Sequence, residues 1–300
     1  MYTTIYPGVE RFLPAWYRSV RAQTDLDFRL WVGLDSVGAR AATDAMGGDP
    51  GAVWVSAAAG DTPAQIRQRA LEQIVECCDG VVLVDSDDLL HTCRVASARA
   101  ALQTCDLAGC TLRIVDERGA ELGMTLGLPS GAKPEDVLPQ TNVFGLSNSA
   151  FRSDLLRRCL PIPAAAALVD WFLVTRAWLL GARLAFSPGV GMDYRQHSRN
   201  MARVMPPFDA RQVMQDTERV RGHFRILRAA PPEGTLPDRL AKVRRVAADI
   251  EAFHSRVVLQ PVTLARYVEA INALEMTPLW WSCVAHPALR PMWAPQKETT

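Results

Sequence analysis

The stretch Val81-Val82-Leu83-Val84 runs four uncharged aliphatic residues directly into Asp85-Ser86-Asp87-Asp88, a junction that few folds accommodate. An aliphatic run without polar alternation suits a strand covered on both faces, as in a parallel sheet between layers of helices. Open α/β sheets take their ligands beyond the carboxyl ends of their strands, which is where these acids would stand. Asp85 and Asp87, one residue apart, are hard oxygen donors of the kind that Mg2+ or Mn2+ prefers. The plainer alternative is an acidic turn capping a helix that begins near Leu89, since Asp is common at helix starts.

Elements on either side of this stretch alternate. Tyr2 to Tyr6 reads as a strand, broken by Pro7-Gly8, and Phe12, Trp16 and Val20 then recur at helical spacing as far as Gln23. Phe28 to Leu34 is a second strand with Asp35 at its end, and Val53 to Val55 a third. From Thr62-Pro63 a helix follows, with Pro in a tolerated first-turn position and Ile66, Ala70 and Ile74 at core spacing, ending before Gly80. Alternating β and α units of this kind predict a mainly parallel sheet flanked by helices. Further on, the sequence predicts a strand over Leu107–Val115 with a hairpin partner near Leu122–Met124, and a helix over Ala150–Arg158. A buried helix is expected from about Ala167 to Leu180, followed by two short strands, Leu184–Phe186 and Met192–Arg195.

After Pro206-Pro207 the pattern becomes helical, most clearly over Pro237–Val258, so the chain divides into a domain over 1–205 and a helical C-terminal extension over 206–300. The apolar stripe of that extension either packs on the preceding domain or offers a surface to a partner, a second copy of the chain included, or to a membrane. Trp280, Trp281 and Trp293 fit a core or an interface equally well.

Bulk properties exclude several classes. With 33 basic and 32 acidic residues the net charge is +1, which offers no nucleic-acid-binding face. Seven cysteines, an odd number without zinc-type spacing, point to reduced thiols with structural roles. The N-terminus has no basic segment leading into an apolar one, so cytoplasmic residence is expected. The most apolar window, Ala164 to Leu180, carries Asp170 and Arg176, and so reads as a buried helix rather than a membrane span.

Four stretches in order give the chain a resemblance to the family 2 inverting glycosyltransferases of the GT-A fold. Tyr17-Arg18-Ser19-Val20-Arg21-Ala22-Gln23-Thr24 followed by Asp27-Phe28-Arg29-Leu30 resembles that family's Ser-Val-x-x-Gln-Thr segment and second strand, with Asp35 matching the acid that touches the nucleotide base. Ile66 to Leu71 resembles its Ala-Arg-Asn-x-Gly helix, and Asp85-Ser86-Asp87-Asp88 its DxD motif. Val169-Asp170-Trp171 and Tyr194-Arg195-Gln196-His197-Ser198-Arg199-Asn200-Met201 resemble the catalytic-acid segment and the C-terminal Tyr-Arg-x-His-x-x-Asn motif. The match spans about two-thirds of the chain. It departs from the family at Pro7-Gly8, where Tyr-Asn is frequent, at Gln68 in place of Asn, and at Val169 in place of an acid.

The resemblance implies a GT-A-like three-layer fold and a metal-dependent inverting transfer of a sugar from a nucleotide-diphosphate sugar to an acceptor hydroxyl. The acceptor would be a carbohydrate or lipid-linked molecule, in surface polysaccharide or glycolipid assembly, and the protein could sit peripherally at the inner face of the membrane. It implies Asp170 as the catalytic base. Ile5, Tyr6, Asp35, Arg67, Asp85, Ser86, Arg195 and His197 would contact the nucleotide sugar, and Asp85, Asp87 and His197 would hold Mn2+ or Mg2+. Each assignment has a plainer counterpart: a first-turn Asp satisfying a helix dipole, a structural His, an Arg in a salt bridge. The loop residues Asn142 and Asn148 fit either an acceptor cleft or turns.

Two other functions fit the same acids. A nucleotidyltransferase would need a Gly-rich, basic phosphate loop after the first strand, which Pro7-Gly8-Val9-Glu10 does not supply. A non-catalytic nucleotide-sugar-binding protein would have little reason to keep Asp85, Asp87 and Asp170 together.

Overall fold

The computed structural model describes residues 1–275 and 278–294. Three parallel strands open the chain: β1 (Tyr2–Ile5), β2 (Trp31–Leu34) and β3 (Val53–Ser56), in register Tyr2 with Trp31 and Trp31 with Val53. They are linked by α1 (Leu13–Arg21) and α2 (Ala39–Met46), and α3 (Pro63–Cys77) leads out of β3. α2, a short Ala-rich helix closed by Gly47 in the left-handed region (φ 79°), lies where no helix was expected. α3 begins as expected, with Thr62 and Gln65 forming a reciprocal capping box and Pro63 in the first turn.

The aliphatic run then enters the sheet beside β1. Gly80–Val82 forms β4, Leu83 bridges to Tyr2 in parallel, and the Val84 N–H donates to the Tyr2 carbonyl at 3.1 Å. Strand order across this region is therefore β3-β2-β1-β4, and the chain reverses its direction of progress between β1 and β4. That reversal opens a crevice outside the strand ends. Val81 to Val84 are all buried, as an uninterrupted aliphatic strand requires.

Beyond β4 the sheet is mixed. β5 (Leu89–Leu90), α4 (Arg94–Ala101), β6 (Leu107–Val115) and β7 (Glu121–Leu126) are followed by α5 (Pro134–Val137), β8 (Ser149–Arg152) and α6 (Ser153–Cys159). Next come α7 (Val169–Leu179) and β9 (Leu184–Arg195), and the spatial order is β4-β8-β6-β9-β5 with β7 on β6. β8 is antiparallel to both β4 and β6, whereas β9 runs parallel to β6. Three local expectations change here. Ala150–Arg152 is strand rather than helix, because β8 fills the gap between β4 and β6. The two short strands become one, with register shifts near Thr111 where it bends along β6. Leu89–Leu90 pairs with Met192 and Asp193 instead of opening a helix, so the acidic turn caps nothing.

The helical region comprises α8 (Ala210–Ala229), α9 (Pro237–Phe253), a π-helical turn over His254–Val258 and α10 (Pro261–Asn272). It packs onto α7: the His223 ring of α8 stacks on Trp171 at 4.4 Å and Phe224 meets the same indole edge-on at 5.7 Å. α7 is consequently buried on nearly every side, which explains its uniformly apolar sequence. Among the described residues no helix is long and apolar enough to cross a membrane.

Candidate active site

The crevice between the ends of β1 and β4 is a cleft of about 420 Å3. Its walls bring together Tyr6 after β1, Asp35 after β2, Arg67 from α3, Asp85 and Asp87 after β4, and Asp170 from the first turn of α7. A larger hollow of about 590 Å3 lies at the opposite, amino ends of these strands, around Met1, Arg29 and Gly80, where open α/β sheets do not bind their ligands.

The acidic loop is stitched to its surroundings by short bonds. Ser86 is fully buried and donates to the Thr4 carbonyl at 2.7 Å, which fastens the loop to β1. Ser147 lies 2.9 Å from Asp85 Oδ2 and also bonds Asp88. Asp88 accepts the Arg195 N–H at 2.7 Å. Asp87 Oδ2 receives both the Tyr6 hydroxyl and His197 Nε2, each at 3.0 Å. Burial and the neighbouring Asp87 charge push Asp85 up to about 7. The same two causes push Asp88 well above the usual carboxylate range.

These contacts revise how several expected residues act. Alternation along β1 turns Thr4 and Tyr6 to the cleft but buries Ile5 completely, and its carbonyl is taken by the Asp35 N–H at 2.9 Å. Ile5 therefore places Asp35 rather than presenting a side chain. The Ser86 hydroxyl likewise faces away from the cleft. Arg195 is buried with its Nε donating to the Asp87 carbonyl at 2.8 Å and Nη1 to the Glu117 carbonyl at 2.9 Å, its guanidinium over the Phe12 ring. That side chain braces the acidic loop from behind. His197 accepts the Arg199 N–H on Nδ1 at 3.2 Å, which leaves Nε2 carrying the proton it gives to Asp87. With both nitrogens engaged, the ring offers no lone pair to a metal in this arrangement.

Arg199 behaves differently from Arg195. It lines the cleft, and its Nη1 lies where a side chain on residue 8 would begin: a Cβ on Gly8 (φ 91°) would stand 1.6 Å away. The Pro7-Gly8 departure therefore gives the guanidinium room over the cleft mouth.

Asp170, which also lines the cleft, sits in the first turn of α7 and accepts a 3.1 Å hydrogen bond from Asn142 Nδ2. Loss of water pushes it up to about 6 against the opposing effects of the Trp171 N–H, the Arg67 charge and Asn142. Arg67 acts electrostatically on Asp85 as well as Asp170, and its buried Nε has no partner among the described residues. α3 presents it there because Thr62, the cap of that helix, also donates to the Ala164 carbonyl just before α7. Asn142 is fully buried, clasping Phe144 through its own side chain. Neither Asn142 nor Ser147 carries a periodic or motif signal, so their bracing of the acids was invisible in the sequence. Asn148 is a turn former, bonded to Gly145, Cys110 and Val143.

Among the described residues no three His, Cys, Asp or Glu side chains converge into a metal cage. The donor set nevertheless fits a hard dication, which characteristically takes one or two carboxylates and completes its shell with water and substrate phosphates. Asp85 and Asp87 line the cleft, crowded with Asp88 in a region where a cation would relieve their mutual repulsion.

No family model matches the sequence, and no curated protein matches it. Solved structures do. The chain superposes on Staphylococcus aureus TarS residues 1–349 in complex with UDP with a TM-score of 0.53 and 16% identity, covering 84% of this chain and 71% of that one. It superposes on the mannosyltransferase PcManGT of Pyrobaculum calidifontis, in complex with GDP-Man and Mn2+, with a TM-score of 0.55 and 15% identity, covering 97% and 77%. TarS 1–349 in complex with UDP-GlcNAc gives 0.51 and 14%, covering 98% and 92%. At this identity the likeness establishes architecture: the chain has the α/β fold of GT-A-type glycosyltransferases.

Proposed function

We propose that the protein is a metal-dependent, inverting glycosyltransferase that moves a hexosyl unit from a nucleoside-diphosphate sugar to the hydroxyl of a carbohydrate or lipid-linked acceptor. The observation that carries this reading is the convergence of Asp35, Arg67, Asp85, Asp87 and Asp170, from four separate segments, on one cleft at the β1/β4 reversal. The solved structures sharing this fold are described as holding UDP, UDP-GlcNAc, or GDP-Man with Mn2+.

Each residue has a physical task. Asp35 stands at the end of β2 where a nucleoside base would lie. Asp85 and Asp87 would hold Mg2+ or Mn2+, with Tyr6 and His197 fixing the Asp87 carboxylate from behind. When bound, the ion acts as a Lewis acid on the departing diphosphate. Arg199, over the cleft mouth, and Arg67 supply further positive charge. An acceptor hydroxyl is a poor nucleophile, and Asp170, desolvated and oriented by Asn142, takes its proton as the new bond forms. With the base on α7 and the acid pair on the loop after β4, separate elements would hold the acceptor and the leaving group, as in-line displacement with inversion requires.

The test is incubation of the purified chain with a panel of nucleotide sugars and Mn2+, following release of the free nucleotide. Slow release from at least one donor, dependent on the metal, is expected. No release together with no metal-dependent binding of any nucleoside diphosphate would end the enzymatic reading.

A further inference from the structure

After α10 the chain leaves the helical region and returns to the cleft, where Trp280 joins the lining. The residue is buried and makes three separate contacts. Its backbone forms an antiparallel bridge with Asn142. Its ring lies over Gly145, where a Cβ would stand 2.7 Å from Cη2, so the indole comes this close because residue 145 has no side chain. Its Nε1 donates to the Tyr194 hydroxyl at 3.3 Å, with the two rings edge-on at 5.7 Å.

Each contact reaches a segment that holds one of the cleft acids. Asn142 gives its Nδ2 to Asp170 and clasps Phe144 with the rest of its amide. Gly145 stands two residues before Ser147, whose hydroxyl bonds Asp85 and Asp88. Tyr194 precedes Arg195, which donates to Asp88 through its N–H and to the Asp87 carbonyl through Nε. The stretch from Asn142 to Asn148 has no helix or strand of its own, so contacts from other segments must set its path. The bridge to Trp280 fixes it at Asn142, and the indole fixes it again at Gly145.

We infer that Trp280 is a positioning residue for the transfer: it holds the Asn142 backbone where the amide meets Asp170, and through it the helical extension completes the active site of its own chain. This rests on the transferase reading of the cleft. The indole touches no reacting atom in this role, and its effect passes through Asn142. Placement matters because the Asn142–Asp170 bond is already 3.1 Å long, and a shift of about 0.5 Å takes the pair out of hydrogen-bond range. A tryptophan that served the core alone would need burial and nothing more. Trp280 also commits its backbone to Asn142 and its N–H to Tyr194, the two flanks from which Asp170 and the acidic loop are held.

The test follows the Asp170 carboxyl carbon of the full chain by NMR as pH is varied, with D170N assigning the signal and nucleotide release measured in parallel. The groups that act on this carboxylate are Asn142, Arg67 of α3 and the N–H groups of the first turn of α7, which favour its charged form, and Asp85, which opposes it. W280L withdraws the ring from Gly145 and Tyr194 and slackens Asn142. The titration midpoint should therefore rise and kcat fall several-fold, with the donor KM within about twofold of the wild type. N142A should move the midpoint the same way, and W280L added to N142A should move it no further. W280F keeps a ring over Gly145 and loses the bond to Tyr194; it should give a smaller rise, and it carries the test if W280L does not fold. A midpoint unchanged in the folded Trp280 variants overturns the inference, as does a Trp280 effect that adds in full to that of N142A. The titration needs no turnover, so a wild-type chain that releases no nucleotide while its Asp170 midpoint responds as stated would sink the transferase reading and leave the coupling standing.

Discussion

The two walls of the cleft are built in opposite ways. The acid-loop wall is nearly local: Asp85, Asp87 and Asp88 fall within four residues, and the bonds that hold them come from β1, Ser147 and the Arg195–His197 stretch. The Asp170 wall is assembled from Asn142, the start of α7 and Trp280, which the chain brings together only after threading a helical region between the last two. The first wall concentrates negative charge and holds it with many donors. The second holds one partly buried carboxylate and, among the described residues, gives it a single side-chain donor. That difference suits a wall that receives a cation and a wall that receives a proton.

The sharpest way to break this division is to neutralise each wall in turn. Asp170→Asn should lower kcat by about 10²–10⁴-fold while leaving metal-dependent nucleotide binding intact. Asp87→Ala should remove the metal-dependent binding itself. Equal loss of nucleotide binding, measured by calorimetry with Mn2+, would erase the distinction between the walls.

Tyr6→Phe probes the acid-loop wall more gently, by removing one of the two donors to Asp87 Oδ2. Loss of such a supporting contact should weaken Mn2+ binding about tenfold, read by electron paramagnetic resonance of the free ion. An unchanged affinity would mean that His197 alone fixes the carboxylate.

Asn142→Ala tests the isolated carboxylate. The base must be ionised, so kcat/KM should fall as pH drops through about 6, the value to which desolvation lifts Asp170. Asn142 donates to the carboxylate and favours the charged form; its removal should move the acid limb of the pH profile upward and lower the plateau several-fold, roughly the effect of one charge-assisted hydrogen bond. A profile displaced downward, or left in place, would contradict the assigned role.

The smallest expected effect concerns how the helical region supports the Asp170 wall. His223, stacked on Trp171, is buried with no charged partner among the described residues, and desolvation pulls it down to about 3. The unfolded chain takes up that proton near 6.5 and the folded one does not, so this residue destabilises the fold as pH falls from about 6.5 toward 3, by up to about 1.4 kcal/mol per pH unit. His223→Phe should flatten the melting-temperature curve over that window relative to the wild type. Parallel curves for the two proteins would show that His223 is protonated in place.

The readable parts of the sequence share one property: their signal lies within a single element. The aliphatic run into Asp85, the helix start at Thr62-Pro63 and the apolar stretch around Asp170 each obey a local rule of burial, helix initiation or periodicity, and each stands in the fold as that rule requires. The misread segments are those whose conformation a neighbour imposes. Ala150–Arg152 becomes a strand because β4 and β6 need a partner between them, and Leu89–Leu90 because β9 passes alongside.

The sequence by itself determined the sheet that opens the chain, the acids at its strand ends and the helical character of the region after Pro206-Pro207. Tertiary structure alone decided which polar groups face the cleft and which are spent behind it. Arg195 and Arg199 are four residues apart, yet one is buried against carbonyls and the other reaches over Gly8 into the cleft. The same holds for Asn142 and Trp280, whose pairing next to Asp170 depends on a return path of the chain. Burial and capping are short-range properties that one segment can encode. The direction of a polar side chain is set by whichever partner arrives, and those partners come from segments 28 to more than 100 residues away.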